Sequence, residues 1–262
     1  MIARLAAQMR QLLAEPSTAG LDTDSPEVTL RRRALIQSRG FLRQLYQEWY
    51  SQIAAAIPPG TGALLELGSG GGFASSAIPG VITSDLLPLP GIDVVLDGVH
   101  LPFADKSLRA VVMTNVLHHL PDVARFLKEF ERCAKPNATL VMIEPWVTAW
   151  SRRVYGSLHS EPFDPEAQAW TVAPGKPLSE ANGALPWIVF ERDRRRFAEE
   201  FPELVVETIR PLMPMSYLVS GGVSMRSLAP SWSFRIWKEI DGMLCRLSSQ
   251  TAMFALIVVR RN

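Results

Sequence analysis

Residues 62–72 read Gly62-Ala-Leu-Leu-Glu66-Leu-Gly68-Ser-Gly70-Gly71-Gly72. A short apolar run, Ala63–Leu67, ends in a turn of mostly glycine, which is the texture of a buried strand followed by a loop. Glycines there let the backbone take positive φ and come close to a ligand. Two phosphate-binding motifs share this texture, and neither fits. A dinucleotide fingerprint starting at Gly68 needs glycine or alanine at position 73, where Phe73 stands, and no Gly-Lys-[Ser/Thr] ending completes a P-loop. The first acid after the next strand is Asp85, at the place where a carboxylate accepts bonds from both ribose hydroxyls. The stretch therefore points to a nucleoside-containing ligand held without a phosphate cradle.

Working outward, further short runs end in polar or acidic residues: Val81–Ser84, Asp93–Leu96, Ala110–Thr114 and Thr139–Ile143. Leu204–Ile209 and an apolar closing run, Ala252–Val259, bring the expected strands to seven. Helical spacing is expected over 30–57, with Leu35, Leu42, Leu45, Tyr46, Trp49 and Ile53 on its apolar face, and over 122–135, 191–200 and 231–247. Residues 17–29 read as a loop, and 1–16 as an amphipathic helix. Strands alternating with helices imply an α/β, doubly wound, mainly parallel sheet with ligands at the carboxyl ends of its strands. Residues 1–60 are expected to form a helical N-terminal cap on a domain spanning 61–262, with insertions after strands 5 and 6 at about 145–190 and 211–250.

At this point the residues resemble a family. ELGSGGG over 66–72 looks like the E-x-G-x-G-x-G signature of class I S-adenosylmethionine-dependent methyltransferases of the type 11-like kind. Four further segments follow in the family's order: Thr83-Ser-Asp85, the loop from Leu96 to Asp105 (LDGVHLPFAD), the strand and turn from Val111 to Asp122 (VVMTNVLHHLPD), and Leu127–Pro145 with its Ile143-Glu144-Pro145 ending. The match covers about 60–145. The resemblance implies a Rossmann-like methyltransferase sheet, S-adenosylmethionine as cofactor and S-adenosylhomocysteine as product. It places Gly68, Ser69 and Gly70 against the methionine part, with Glu66 supporting the loop. Asp85 would bind the ribose, Leu86 cover an adenine face, and Asp97 accept from the adenine amino group beside backbone contacts from Gly98 and Val99. Thr114, Asn115 and Val116 would flank the methionine tail, and His119 would sit near the methyl. Two departures stand out. Arg109 occupies a position where the family usually has an acid, and Pro79 leaves little room for a helix after the glycine loop.

Methyl transfer from a sulfonium needs alignment and exclusion of water, and a base only when the acceptor carries a proton, as a hydroxyl does. His159 and Glu161, in the polar stretch after the fifth strand, are candidate bases, with His119 a third. Glu144 and Trp146 are expected to line the pocket, Cys133 to lie in the core, and no metal is expected. The arginine runs 31–33 and 192–196 are expected as solvated helix faces or as holders of an anionic acceptor. The expected partner is a small-molecule or carrier-linked acceptor, with O-methylation favoured over N or C; the alternative is a non-catalytic binding or assembly protein that keeps the cofactor pocket. Lys+Arg 27 against Asp+Glu 26 argues against nucleic acid as the acceptor. Two cysteines form no disulfide framework, and no apolar run reaches the length of a membrane span, so a reducing, cytoplasmic setting is expected.

Overall fold

The computed structural model describes residues 13–18, 20–158, 161–173 and 179–262, so nearly all of the helix expected over 1–16 lies outside the described residues. The described residues form seven strands: β1 (Ala63–Leu67), β2 (Val81–Asp85), β3 (Val94–Val95), β4 (Leu108–Thr114), β5 (Ala134–Pro145), β6 (Leu204–Leu212) and β7 (Phe254–Arg261). They form one sheet in the order β3-β2-β1-β4-β5-β7-β6. The first five strands pair in parallel, while β7 runs antiparallel to both β5 and β6. The strand order turns back between β1 and β4, which opens a crevice at their carboxyl ends.

Both faces of the central strands β1, β4, β5 and β7 are largely buried, which is why they read as continuous apolar runs, whereas the edge strand β6 is partly exposed. Leu65, Leu67, Val111, Met113, Leu140 and Met142 project into one cluster, and their neighbours Leu64, Ala110, Val112, Val141 and Ile143 into the other. The flanking helices are α1 (Pro26–Ser38), α2 (Gly40–Ala55), α3 (Val123–Cys133), α4 (Ala149–Leu158), α5 (Arg194–Glu200), α6 (Ser216–Ser220) and α7 (Phe234–Leu247). On the first face α3 buries Val123, Phe126, Leu127, Phe130 and Cys133 beside Phe190 and Phe197. On the second, α2 buries Phe41, Leu42, Leu45, Trp49 and Ile53. Each such side chain contributes roughly 1.5–3 kcal/mol relative to exposure.

The single helix expected over 30–57 is two helices. The first starts earlier, at Pro26, because Ser25 caps it by accepting from the Val28 N–H at 3.3 Å and proline suits the first helical position. It stops at Arg39, which turns extended (φ −84, ψ 101). The Arg39 guanidinium donates to the carbonyls of Gly222 and Met225 and pairs with Glu15, so a tertiary anchor breaks a helix whose apolar pattern continues. After the glycine loop stands only a 3₁₀ turn, Ala74–Ser76, in keeping with the little room Pro79 leaves for a helix. The helix expected over 191–200 covers Arg194–Glu200, behind a π-helical turn at Ile188–Arg192. The irregular segments after β5 and β6 hold α4 and α6. Among the described residues, no helix is long and apolar enough to cross a membrane.

Candidate active site

The glycine loop leaves β1 at Gly68, whose φ is +69 and where an added Cβ would lie 2.5 Å from the Val116 side chain. Only glycine fits both restrictions. The loop is laced to the end of β2: Ser69 N–H donates to the Ser84 carbonyl at 2.7 Å, and Ser84 Oγ to the Glu66 carbonyl at 2.7 Å. Asp85 accepts from Gly70 N–H at Oδ2 and from Leu87 N–H at Oδ1, each at 2.9 Å. From the other side, Arg33 of α1 clamps the Gly70 carbonyl with Nε and Nη2 at 3.0 and 2.8 Å.

Beneath the loop, Glu66 Oε2 accepts from Ser69 Oγ at 2.6 Å. Burial pushes the Glu66 carboxyl up to about 7; the Ser69 hydroxyl opposes this and the charge of Asp85 adds to it. A carboxyl raised in the folded state favours folding most below its unfolded value, near 4.5, and loses that contribution as pH rises to about 7. Glu66→Gln removes this dependence. Relative to the parent, the variant is expected to gain stability between pH 5 and pH 8, by on the order of 3 kcal/mol at most. Urea denaturation at the two pH values checks it; an unchanged difference between the proteins would contradict the assignment.

A cavity of about 470 Å³ lies over the carboxyl ends of β1, β2 and β4. Of the residues expected at the cofactor, Glu66, Gly68, Ser69, Gly70, Asp85, Leu86, Asp97, Gly98, Thr114, Asn115, Val116 and His119 all line it. Val99 does not: its side chain is buried in the core and its N–H donates to Asp97 Oδ1 at 3.0 Å, so neither group is offered to a ligand. The far wall is aromatic, with Tyr46, Tyr155, Phe163, Tyr217 and Phe254. Tyr155 stacks on Phe163 at 4.6 Å, and Tyr217 meets Phe254 edge-on at 4.7 Å. Burial raises the Tyr217 hydroxyl to about 12, with help from the charge of Glu161, so it stays a neutral phenol.

Of the candidate bases, His159 lies outside the described residues, while Glu161 and His119 face the cavity. The structure adds His118, the neighbour of His119 in the turn after β4. Its Nδ1 lies 2.6 Å from Glu144 Oε2, and its Nε2 lies 3.7 Å from Glu161 Oε2. Burial would lower the basicity of His118, but the Glu144 and Glu161 carboxylates outweigh it and carry the ring up to about 9. His119 stands alongside, ring centroids 4.2 Å apart, and burial together with the charge of His118 pulls it down to about 3. Glu144 does not line the pocket as expected: it is fully buried behind the wall, where Oε1 accepts from Val116 and Leu117 N–H at 2.7 and 2.8 Å. Trp146 is likewise in the core, packed with the α3 cluster.

The arginine runs separate. Arg192 pairs with Asp193 and donates to the Pro165 and Ala167 carbonyls, and Arg195 and Arg196 pair with Glu199 and Glu200, all away from the cavity. Arg31 pairs with Glu27. Arg32 alone among the described arginines and lysines lines the cavity. Its Nε and the Thr29 Oγ1 one turn earlier are buried and have no hydrogen-bond partner among the described residues. Arg109 ties β4 to the Pro58 carbonyl at 2.8 Å.

Residues 65–142 match the methyltransferase-domain family. No curated protein matches the chain. Among solved structures, the chain is similar to one in the complex between the Haloferax volcanii Trm112 methyltransferase activator and a methyltransferase, at 16% identity over 89% of this chain and 93% of that one, TM-score 0.51. It is also similar to the geranyl diphosphate C-methyltransferase of Streptomyces coelicolor A3(2), at 12% identity over 95% and 88%, TM-score 0.47. A third is an S-adenosylmethionine-dependent methyltransferase of Mesorhizobium loti, at 15% identity over 82% and 98%, TM-score 0.46. At these identities the likeness is one of fold, a seven-stranded, mainly parallel sheet flanked by helices.

Proposed function

We propose that this chain, a class I methyltransferase by its fold and by the family match over residues 65–142, moves a methyl group from S-adenosylmethionine to a hydroxyl of a small-molecule or carrier-linked acceptor, leaving S-adenosylhomocysteine. One observation carries the reading: a single cavity joins the glycine loop and Asp85 to the polar patch of His118, His119 and Glu161. The residues fit such a cofactor. Gly68, Ser69 and Gly70 give a close backbone surface for its methionine part, and Thr114, Asn115 and Val116 flank it. Thr29 Oγ1 and Arg32 Nε, buried and unpartnered among the described residues, suit its carboxylate. Asp85 would hold the ribose, and Leu86, Asp97 and Gly98 the adenine; all four line the cavity.

When bound, the cofactor supplies an electrophilic methyl on a positively charged sulfur. The chain's own contribution is alignment and shielding. Tyr155, Phe163, Tyr217 and Phe254 wall the acceptor space and exclude water, which favours a step in which charge disappears. His119 and Glu161 hold the acceptor hydroxyl, and the Glu161 carboxylate takes its proton as the new C–O bond forms. Glu144 keeps His118 in place behind them.

Calorimetry with S-adenosylhomocysteine is expected to show one site per chain, and labelled-methyl transfer across hydroxyl acceptors to give an O-methyl product. Absence of binding would overturn the reading. Arg32→Met is expected to weaken S-adenosylhomocysteine by about 10- to 100-fold, the worth of one charged hydrogen bond. It should leave methylthioadenosine, which has no carboxylate, unchanged. Equal affinity of both proteins for S-adenosylhomocysteine would move Arg32 to an anionic group on the acceptor.

A further inference from the structure

We propose that His118, His119 and Glu161 form a binding site for one divalent cation of the zinc, cobalt or manganese kind in the wall of the cavity. One ligand atom from each residue lies within 4.8 Å of the others. His118 Nε2 and Glu161 Oε2 are 3.7 Å apart. Two ligands bound at zinc distances in a tetrahedron stand about 3.4 Å apart, so a few tenths of an ångström close the pair on a metal. The sequence singles out His119 and Glu161 separately but not the set, because its members come from two segments, the turn after β4 and the insertion after β5.

The surroundings are those of a ligating histidine. Metal-bound imidazoles almost always donate the other ring N–H to a carboxylate or carbonyl, which orients the ring and fixes the tautomer. His118 has this on Nδ1, 2.6 Å from Glu144 Oε2, and Glu144 is itself held by the N–H groups of Val116 and Leu117. His119 Nδ1 lies 3.4 Å from the Glu180 carbonyl, which leaves its Nε2 as the ligating atom. Glu144 thus serves as support and the three cavity-facing residues as ligands. Two imidazoles and one carboxylate suit zinc, cobalt or manganese better than magnesium or calcium, which prefer oxygen alone. Three protein ligands with an open side are the pattern of a site that meets a substrate. That the substrate atom is the acceptor hydroxyl rests on the function proposed above; the binding of the cation does not. A cation there would lower the pKa of the hydroxyl it faces, easing transfer of its proton to the Glu161 carboxylate.

The test uses the full chain stripped with chelator and titrated with Co²⁺, read by visible absorption, with Zn²⁺ as competitor. One equivalent of Co²⁺ is expected, displaced by Zn²⁺, with His119→Ala and Glu161→Gln each weakening it at least tenfold. Glu161→Gln keeps the side-chain shape, so it reports on ligation even if His119→Ala folds poorly. Calorimetry with S-adenosylhomocysteine on the same samples separates the two claims. Co²⁺ binding without S-adenosylhomocysteine binding would overturn the methyltransferase reading and leave the metal site standing. No stoichiometric Co²⁺ binding, or binding indifferent to both substitutions, would overturn the metal site.

Discussion

Asp85→Ala is expected to weaken S-adenosylhomocysteine binding by about a hundredfold or more. The carboxylate is buried and both its oxygens are committed, Oδ2 to Gly70 N–H and Oδ1 to Leu87 N–H. Hydrogen bonds to a charged group are worth about 1.5–3 kcal/mol each, and a hundredfold change in affinity is about 2.7 kcal/mol. Alanine removes both anchors at once. It loosens the loop at Gly70, while the bonds between Ser69 and Ser84 remain, and takes away the carboxylate proposed to hold the ribose. Asp85→Asn keeps the shape but only one oxygen, so one N–H must face an amide N–H₂ across about the same gap; an intermediate loss is expected. Calorimetry measures both variants, with a thermal unfolding scan to show that each is folded. An alanine variant within threefold of the parent would show that the loop holds its form without Asp85 and that the carboxylate does not meet the ligand.

Features carried by neighbouring residues were legible in the sequence, and features made by distant ones were not. The sheet is an example of the first kind. Leu64 to Leu67, Val111 to Met113 and Leu140 to Ile143 are apolar on both faces because both faces are covered, and this needs no long-range information. The glycine loop and Asp85 are close in sequence and meet in space at the Gly70 N–H. By contrast, the break at Arg39 depends on carbonyls more than 180 residues later, and nothing in the helical pattern marks it. Ser25-Pro26 did mark the start of α1, yet the polar run around it read as loop. The pairing of Glu144 with His118 is not legible in the sequence, because it follows from β4 and β5 lying side by side. The expectation that Glu144 faces the pocket fails for the same reason: the turn after β4 folds over it and takes its oxygens.

That turn is the basis of the second large effect. Glu144→Ala is expected to destabilise the fold by about 3–5 kcal/mol, the usual cost of removing one partner from a buried charged cluster. The side chain has no solvent exposure, and three donors depend on it: Val116 N–H, Leu117 N–H and His118 Nδ1. Truncation leaves Leu117 N–H and the imidazole buried without an acceptor, and a void too polar to close over. Against a total stability of roughly 5–15 kcal/mol, this is a large fraction, and a fall of about 10 °C in Tm is the corresponding thermal signature. Glu144→Gln should cost far less, because its single oxygen can still accept from both N–H groups at the Oε1 position. Its N–H₂, however, must then donate to Nδ1, forcing the His118 proton onto Nε2, the atom that faces Glu161. The glutamine variant is therefore expected to fold near parental stability while losing Co²⁺ affinity by about 10- to 100-fold, the usual effect of altering the group behind a ligating histidine. The pair of substitutions thus separates the two tasks of one carboxylate, holding the turn and setting the tautomer. Urea denaturation and the cobalt titration read them independently. A cost below about 1 kcal/mol for Glu144→Ala would mean that water replaces the lost acceptor and that the turn after β4 is held by its own packing.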